Sequence, residues 1–440
     1  MSKIIIQNGN MCELDLPLKF AQKLYNEFAI RHPNAFYLRT RQRGMQNWDG
    51  KIHYITKTGQ FKIGLLPKVY DMCIEMGIKP KVVDMRQPLP KVSKVVTNIG
   101  KYKLRPEQEK AVKAVINNKI GNTPFQIGVL DLTVNFGKTL IMSSLYLSYK
   151  KQLKTLLITN DSDWLNQARE EFKQYLPGED ITFVQGKVLN WSNFTIGMVQ
   201  SISRNMRFYQ KELSQIDMVL VDEADQGGSK QYQNVITRLF NTRIRIGLSG
   251  TIYMSKLAKD KVKNMNLECF FGKVIAEFKL KDSIKKGYST KTVVKMVPGK
   301  PWYGNWESDC ISYKEIYDDS ITNCYTAWLM AYNRLLWNLN QGRYPALVVC
   351  KHIAHCENLY KFFKKKLGDA YNIAYVHVNT PSKLRQQIMK DFREGKIDIL
   401  VSTTIIARGK NFPKLKYLLN TASMLSNEKT IQFLGRLVRT

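Results

Sequence analysis

The run Asn135-Phe136-Gly137-Lys138-Thr139 sits between an apolar stretch, Ile127 to Leu130, and the helix-prone LIMSSLYLSY. Strand, glycine turn and helix start, in that order, make a phosphate cradle. Backbone N–H groups and the helix N-terminus face the oxygens, a lysine reaches the β- and γ-phosphates, and a hydroxyl ligates magnesium. That chemistry assigns Asn135 and Gly137 to the cradle, Lys138 to the phosphates and Thr139 to Mg2+. The general pattern has glycine five residues before Gly137, where this chain has Leu132.

Asp222-Glu223-Ala224-Asp225 follows a second apolar run, Met218 to Val221. A carboxylate at the carboxyl end of a buried strand can hold the magnesium of ATP, and a neighbouring glutamate can take a proton from the attacking water. Asp222 and Glu223 fit those roles. The plain alternative, an acidic turn capping a strand, loses ground because the phosphate cradle precedes it.

A third constellation is basic. Residues 28 to 70 hold eight Lys or Arg, among them Arg39, Arg41, Arg43 and Lys51, against the single acid Asp49. Phe36, Tyr37, Trp48, Tyr54 and Phe61 are interleaved with them, a mixture suited to gripping phosphates beside stacked bases. A solvated basic face over a small aromatic core is the alternative, and Trp48 reads equally as core or as a stacking platform. His352 and His355 have no third ligand nearby and flank the start of a helix, so no zinc site is expected.

These groups need a large, folded scaffold. The chain has 440 residues, room for about three compact units, and its 44% hydrophobic content is enough for real cores. Lys and Arg number 68 against 36 acids, a formal charge of +32 that a disordered tail does not account for and that implies a polyanionic partner. The seven cysteines are scattered with no Cys-x-x-Cys pair, which excludes a disulfide framework and a cysteine zinc site and points to a reducing cytoplasm. No apolar run approaches a membrane span, and no membrane partner is expected.

Residues 1–95 read as a small mixed domain: a strand at Ile4 to Ile6, a helix opening near Asp15 and Pro17, and hairpin-like runs over 51 to 66 broken at Thr58-Gly59. From residue 96 to 290, apolar runs at Ile127–Leu130, Leu156–Thr159, Met218–Val221 and Ile244–Leu248 alternate with helical periodicity, the signature of buried parallel strands. A connector with a helical segment follows over 291–344. The alternation returns over 345–440 at Ala346–Val349, Ile373–Val376, Ile397–Val401 and Tyr417–Leu419. The expected class is α/β, with two tandem parallel-sheet lobes behind a small α+β domain.

The acidic run after Gly-Lys-Thr resembles motif II of the superfamily-two helicases and translocases, and further segments resemble that family in its order. Leu104-Arg105-Pro106-Glu107-Gln108 is similar to the adenine-side motif, implying nucleotide contacts by Arg105 and Gln108. Leu248-Ser249-Gly250-Thr251 resembles motif III. Val401-Ser402-Thr403-Thr404 and Ala407-Arg408-Gly409 resemble motif V, which implies a nucleic-acid contact at Thr403 and a nucleotide contact at Gly409. Gln432-Phe433-Leu434-Gly435-Arg436-Leu437-Val438-Arg439 resembles motif VI, so that Gln432, Arg436 and Arg439 would serve catalysis, Arg439 as the arginine finger.

Met198-Val199-Gln200-Ser201 is similar to motif Ib, which lies on the nucleic-acid backbone. The basic-aromatic stretch after it, with Arg204 and Arg207, is then either a duplex contact or simply an exposed loop. Asn411 stands where many relatives have aspartate. Asn47-Trp48-Asp49-Gly50 within Arg39 to Ile55 resembles the amino-terminal segment of the UvsW-like phage helicases. That resemblance implies two RecA-like lobes with ATP and Mg2+ between them, and an enzyme that unwinds and branch-migrates forked or junction DNA in a host cytoplasm. Two rivals remain: a DEAD-box RNA helicase, and a nucleic-acid-binding protein with a degenerate ATP site. Protein partners are not legible.

Overall fold

The computed structural model describes all residues except 1, 42–44, 46, 134–135, 150–151, 189, 253–259, 292, 298–311, 405–411 and 423–440, and the side chains of 163 and 313. It divides into two compact units, Met1–Asp282 and Ser283–Thr440.

The first unit opens with a four-stranded sheet in the order Gln60–Lys62, Met11–Asp15, Lys3–Ile6, Lys81–Asp84. Residues alternate between faces along a strand, and Ile4, Ile6, Cys12 and Leu14 point inward. Helix Leu18–Glu27 adds Leu24. The two runs in 51 to 66 form strands joined by the expected turn, where Ile55 bridges Phe61 and the Gly59 N–H donates to the Thr56 carbonyl at 2.9 Å, but each strand takes a different main partner. Lys51–His53 pairs with Ala29–Arg31, while Gln60–Lys62 pairs with Met11–Asp15, because the buried Phe61 belongs on the main sheet.

Behind it lies a seven-stranded, all-parallel sheet. Its order is Ile181–Val184, Phe194–Met198, Thr155–Thr159, Met218–Asp222, Ile244–Ser249, Ile127–Leu132, Val274–Phe278. Every residue of the four inner strands named from the apolar runs is buried. Helices cover both faces, which is why these strands are apolar throughout rather than alternating. The three strands with weaker apolar signals lie at or beside the sheet edges.

The two sheets are not separately cored. Ile4, Leu24, Phe28 and Phe61 belong to the same buried cluster as Val129, Val221, Ile236 and Phe271. Arg245, fully buried in the Ile244–Ser249 strand, bonds the carbonyls of Gly9 (2.6 Å) and Phe270 (3.2 Å) and the Asn10 side chain (2.8 Å). Gly9 is pressed so close to the other sheet's flank that a β-carbon there would lie 2.7 Å from the Leu239 carbonyl.

The second unit carries four parallel strands in the order Ile373–Val376, Ile399–Thr403, Ala346–Cys350, Tyr417–Asn420. Helix Tyr325–Leu339 donates Ala331, Leu335 and Leu339 to its core, together with Leu359 and Phe363 of helix Ile353–Leu367. Both units therefore have the expected architecture, RecA-like parallel sheets. Among the described residues no helix is long and apolar enough to cross a membrane. Cys12, Cys73, Cys269, Cys350 and Cys356 are free, buried thiols.

Candidate functional site

The buried strand Ile127–Leu132 aims the chain at helix Lys138–Ser148, whose first turn leaves backbone N–H groups free of partners within the helix. Gly137 makes the turn at φ +82°, a left-handed conformation that glycine adopts without steric cost. A β-carbon there would come within 2.5 Å of the Gln108 side-chain nitrogen. Leu132 is the last residue of the strand and is buried, so the position that lacks the general motif's glycine serves as core.

Gln108 is itself almost fully buried, and both ends of its amide are engaged. Its Oε1 accepts from the Arg105 backbone N–H at 2.8 Å, and its Nε2 donates to the Phe136 carbonyl at 2.6 Å. Arg105 Nη2 donates to that same carbonyl at 2.8 Å, and its guanidinium lies over the Phe136 ring. The segment Arg105 to Gln108 thus holds the Gly137 turn directly.

Lys138 Nζ lies 3.7 Å from Oδ1 of Asp222, which ends strand Met218–Asp222, separated from Ile127–Leu132 in the sheet by the single strand Ile244–Ser249. Burial pushes the Asp222 carboxyl above its usual range, the Lys138 charge only partly opposing it. Apart from that ion pair, this Oδ1 has no hydrogen-bond partner among the described residues. The Asp222 carboxylate and the hydroxyl of Thr139, the residue after Lys138, are hard oxygen donors of the kind Mg2+ takes, which typically uses one or two protein oxygens and completes its shell with phosphate and water.

Glu223 has φ +52° and ψ +50°, and among the described residues it is the sole non-glycine with positive φ. Such backbone strain concentrates at functional sites and costs about 1–3 kcal/mol. The acidic turn is then tied to the next strand: Ser249 Oγ donates to Asp225 Oδ1 at 3.0 Å and accepts from the Thr251 N–H at 3.1 Å. Nearby, Asn160 Nδ2 reaches Gln226 Oε1 at 3.2 Å, and Gln200 Nε2 reaches the Asn160 carbonyl at 3.3 Å. One bonded chain therefore runs across the carboxyl ends of the parallel strands, from Gln200 to the acidic turn. Ser201 accepts from Gly186 N at 2.9 Å.

Arg204 and Arg207 are exposed beyond that edge, next to Phe208, whose ring carries the Lys187 amine at 4.0 Å. Arg39 and Arg41 are exposed on helix Ala35–Arg41; Arg39 shares one surface with Arg31, Phe36, Asp49 and Lys51, while the Arg41 guanidinium lies over the Tyr37 ring. Trp48 is half-buried, donating to the Lys51 carbonyl at 2.9 Å, while Asp49 pairs with His53 at 2.7 Å. In the second unit Thr403 ends strand Ile399–Thr403. Arg43, Asn135, Gly409, Gln432, Arg436 and Arg439 lie outside the described residues. Among the described residues no cluster of His, Cys, Asp and Glu could hold a metal by itself, His352 and His355 included.

Sequence reasoning overlooked two buried charges. One is Arg245, a cation within an otherwise apolar strand, which was a readable signal. The other is Asp131, buried in the strand before the cradle and ion-paired with Lys279. Burial works to lower the Lys279 amine, but the bonds and charges of Asp131 and Glu277 together outweigh it and raise it.

Residues 101–254 match the family model "Type III restriction enzyme, res subunit", and residues 329–440 match "Helicase conserved C-terminal domain". The ATP-dependent DNA helicase uvsW of enterobacteria phage T4 is 21% identical over 439 residues, covering 89% of this chain and 79% of the phage protein. The putative ATP-dependent helicase IRC3 of Saccharomyces cerevisiae is 23% identical over 76% of this chain, which spans about half (49%) of the yeast protein's length. The crystal structure of the T4 UvsW helicase superposes with a TM-score of 0.50 at 20% identity, over 63% of this chain and 99% of that one. A fragment of a putative HsdR restriction subunit from Vibrio vulnificus gives 0.53 at 15% identity, over 76% of this chain and 59% of that fragment. The two family models together span more than half of the sequence and contain the phosphate cradle, the acidic turn and the motif VI segment, so the chain belongs to the superfamily-two helicases, enzymes that hydrolyse ATP.

Proposed function

We propose that this helicase is a DNA motor that unwinds and branch-migrates forked or junction DNA. The observation that carries the reading is the bonded chain along the strand ends. It links a nucleotide-facing turn (Asp222, Glu223, Asp225) through Ser249 on one side and through Gln226 and Asn160 to Gln200 on the other. A change at the phosphates can then reach a surface where Gln200, Ser201, Arg204 and Arg207 would meet a strand. The basic-aromatic surface of Arg39 and Lys51, with Arg41 and Arg43, would hold a duplex arm, and Thr403 would contact the strand from the second unit.

Bound Mg2+ would place positive charge on the phosphate oxygens of ATP. Thr139 and Asp222 would hold it, and Lys138 and the helix N-terminus would orient the phosphates. Glu223 would accept the proton of the attacking water. Arg105 and Gln108, through Phe136, would hold the cradle in shape, with Asn135 and Gly409 as further nucleotide contacts. Gln432, Arg436 and Arg439 would complete the catalytic set.

DNA is favoured over RNA by the similarity to a DNA helicase across 89% of the chain. The similarities to the RNA helicase CHR1 of Candida albicans and the probable RNA helicase ddx41 of Dictyostelium discoideum span less, 51% and 21%. The test compares ATP hydrolysis on four-way junctions, forks and RNA duplexes, with strand exchange followed in the same reactions. Junction-stimulated turnover with branch migration supports the proposal. Stimulation by RNA alone transfers it to an RNA helicase, and absence of turnover on any substrate to a non-hydrolysing binder.

A further inference from the structure

The second unit carries a groove of about 400 Å³ that none of the helicase motifs occupies. Helices Tyr325–Leu339 and Ile353–Leu367 form it, with Tyr325, Trp328 and Phe362 as walls and Lys361, Lys365 and Lys366 along the rim. Its shape is set in advance. Trp328 Nε1 donates to the carbonyls of Ile321 and Thr322, both at 3.2 Å, and Asn358 Nδ2 to that of Thr322 at 3.0 Å. Tyr325 stands edge-on to Phe362, ring centroids 5.6 Å apart, and leaves 55% of its own surface open.

The rim is cationic without compensation. Among the described residues Lys361, Lys365 and Lys366 have no carboxylate partner, whereas the adjacent Lys364 is held by Asp369 at 2.7 Å. Lys361 and Lys365 are one helical turn apart, about 6 Å between β-carbons, and can face successive phosphates while a base lies on Tyr325. The groove's lysines sit toward the C-terminal end of helix Ile353–Leu367, roughly 14–21 Å along the axis from His352 at about 1.5 Å per residue. They are therefore well separated from the carboxyl end of the parallel strands, where Thr403 lies.

We infer that this groove is a second binding site for single-stranded DNA, separate from the motor's own track. The inference rests on the DNA-motor reading and deepens it: an enzyme that both separates and rejoins strands gains from holding a strand it is not moving along. An open aromatic face beside cations that no carboxylate holds is how proteins bind single strands without sequence preference; here Tyr325 is the open face, and the Lys366 amine lies 5.9 Å from the Phe362 ring centre. An acidic peptide would satisfy the lysines but would make less use of an open tyrosine face.

The test titrates fluorescent oligothymidylate into the full chain across a salt series, comparing wild type, the triple variant Lys361→Ala, Lys365→Ala, Lys366→Ala, and the matching triple Arg variant. Each lost phosphate contact should lower the salt slope by about 0.7, so the Ala variant should lose about 2 in slope while the Arg variant stays near wild type. ATP hydrolysis without DNA should be unchanged in all three. Wild-type binding with an unmoved slope in the Ala variant would overturn the groove assignment alone, whereas wild type that binds no DNA would overturn the motor reading beneath it. Lysine-dependent binding of a polyglutamate peptide with unaltered oligothymidylate affinity would also overturn it, in favour of a protein partner.

Discussion

Lys138 Nζ, at the start of a helix, and Asp222 Oδ1, at the end of a strand, face each other at 3.7 Å, with the carboxylate buried and the amine partly open to solvent. The pair shows that the site holds a charge its surroundings resist. Burial raises the Asp222 carboxyl despite the neighbouring lysine, so its ionised form destabilises the nucleotide-free protein at neutral pH.

Asp222→Asn should therefore raise the melting temperature at pH 7.5 by a few degrees while turnover falls by about 100-fold or more, since an amide is a poor magnesium ligand. A raised carboxyl favours the folded state at low pH and loses that advantage as pH rises through its folded value. The gain from asparagine should accordingly shrink on acidification. Differential scanning fluorimetry over a pH series checks this, and a lower melting temperature at neutral pH would mean that the ion pair stabilises.

Gly137→Ala places a methyl group against the Gln108 amide and forces alanine to φ +82°. The strain of about 1–3 kcal/mol should displace Gln108 from the Phe136 carbonyl and weaken ATP binding by roughly tenfold or more. Isothermal titration with a non-hydrolysable analogue measures it. Wild-type affinity would show that this contact does not shape the cradle.

The amino-terminal sheet should not be separable from the first parallel sheet. Because Ile4, Phe28 and Phe61 share a core with Val221, Ile236 and Phe271, trypsin cleavage at Lys91 or Lys94 should leave two fragments that co-elute under native conditions. A fragment of residues 96–290 should aggregate, since it exposes that core. A soluble, cooperatively melting 96–290 fragment would contradict this.

His355 is buried and pushed down to about 4 by burial, with help from the neighbouring His352, and lies 3.2 Å from the Tyr317 hydroxyl. The unfolded chain takes up this proton near 6.5 and the folded one only near 4, so stability should be present above pH 6.5 and fall as pH drops toward 4. The loss should be at most about 3 kcal/mol. His355→Gln should flatten that segment of the stability curve measured by urea unfolding at stepped pH. An unaltered slope would assign the acid sensitivity elsewhere.

Much of the site was legible because its chemistry is local. A phosphate cradle needs strand, glycine turn and helix start in immediate succession, and Gly137, Lys138 and Thr139 carry that order within three residues. Asp222 and Glu223 follow an unbroken apolar strand for the same reason. The buried inner strands were equally plain, since burial on both faces leaves an uninterrupted apolar run.

Sequence alone thus determined the two parallel sheets, the helicase family and the basic character of the protein. Only the tertiary structure decided what depends on residues far apart in the chain meeting. The 51–66 segment gave two strands to two different partners because Phe61 had to reach the main sheet. Gln108 was spent on the Phe136 carbonyl 28 residues away. Arg245 reached back 236 residues to the Gly9 carbonyl, joining two expected domains into one core. Periodicity and motif spacing report a residue's own neighbourhood, but the partner of a buried polar group is chosen by whichever distant donor or acceptor the packing brings within about 3 Å.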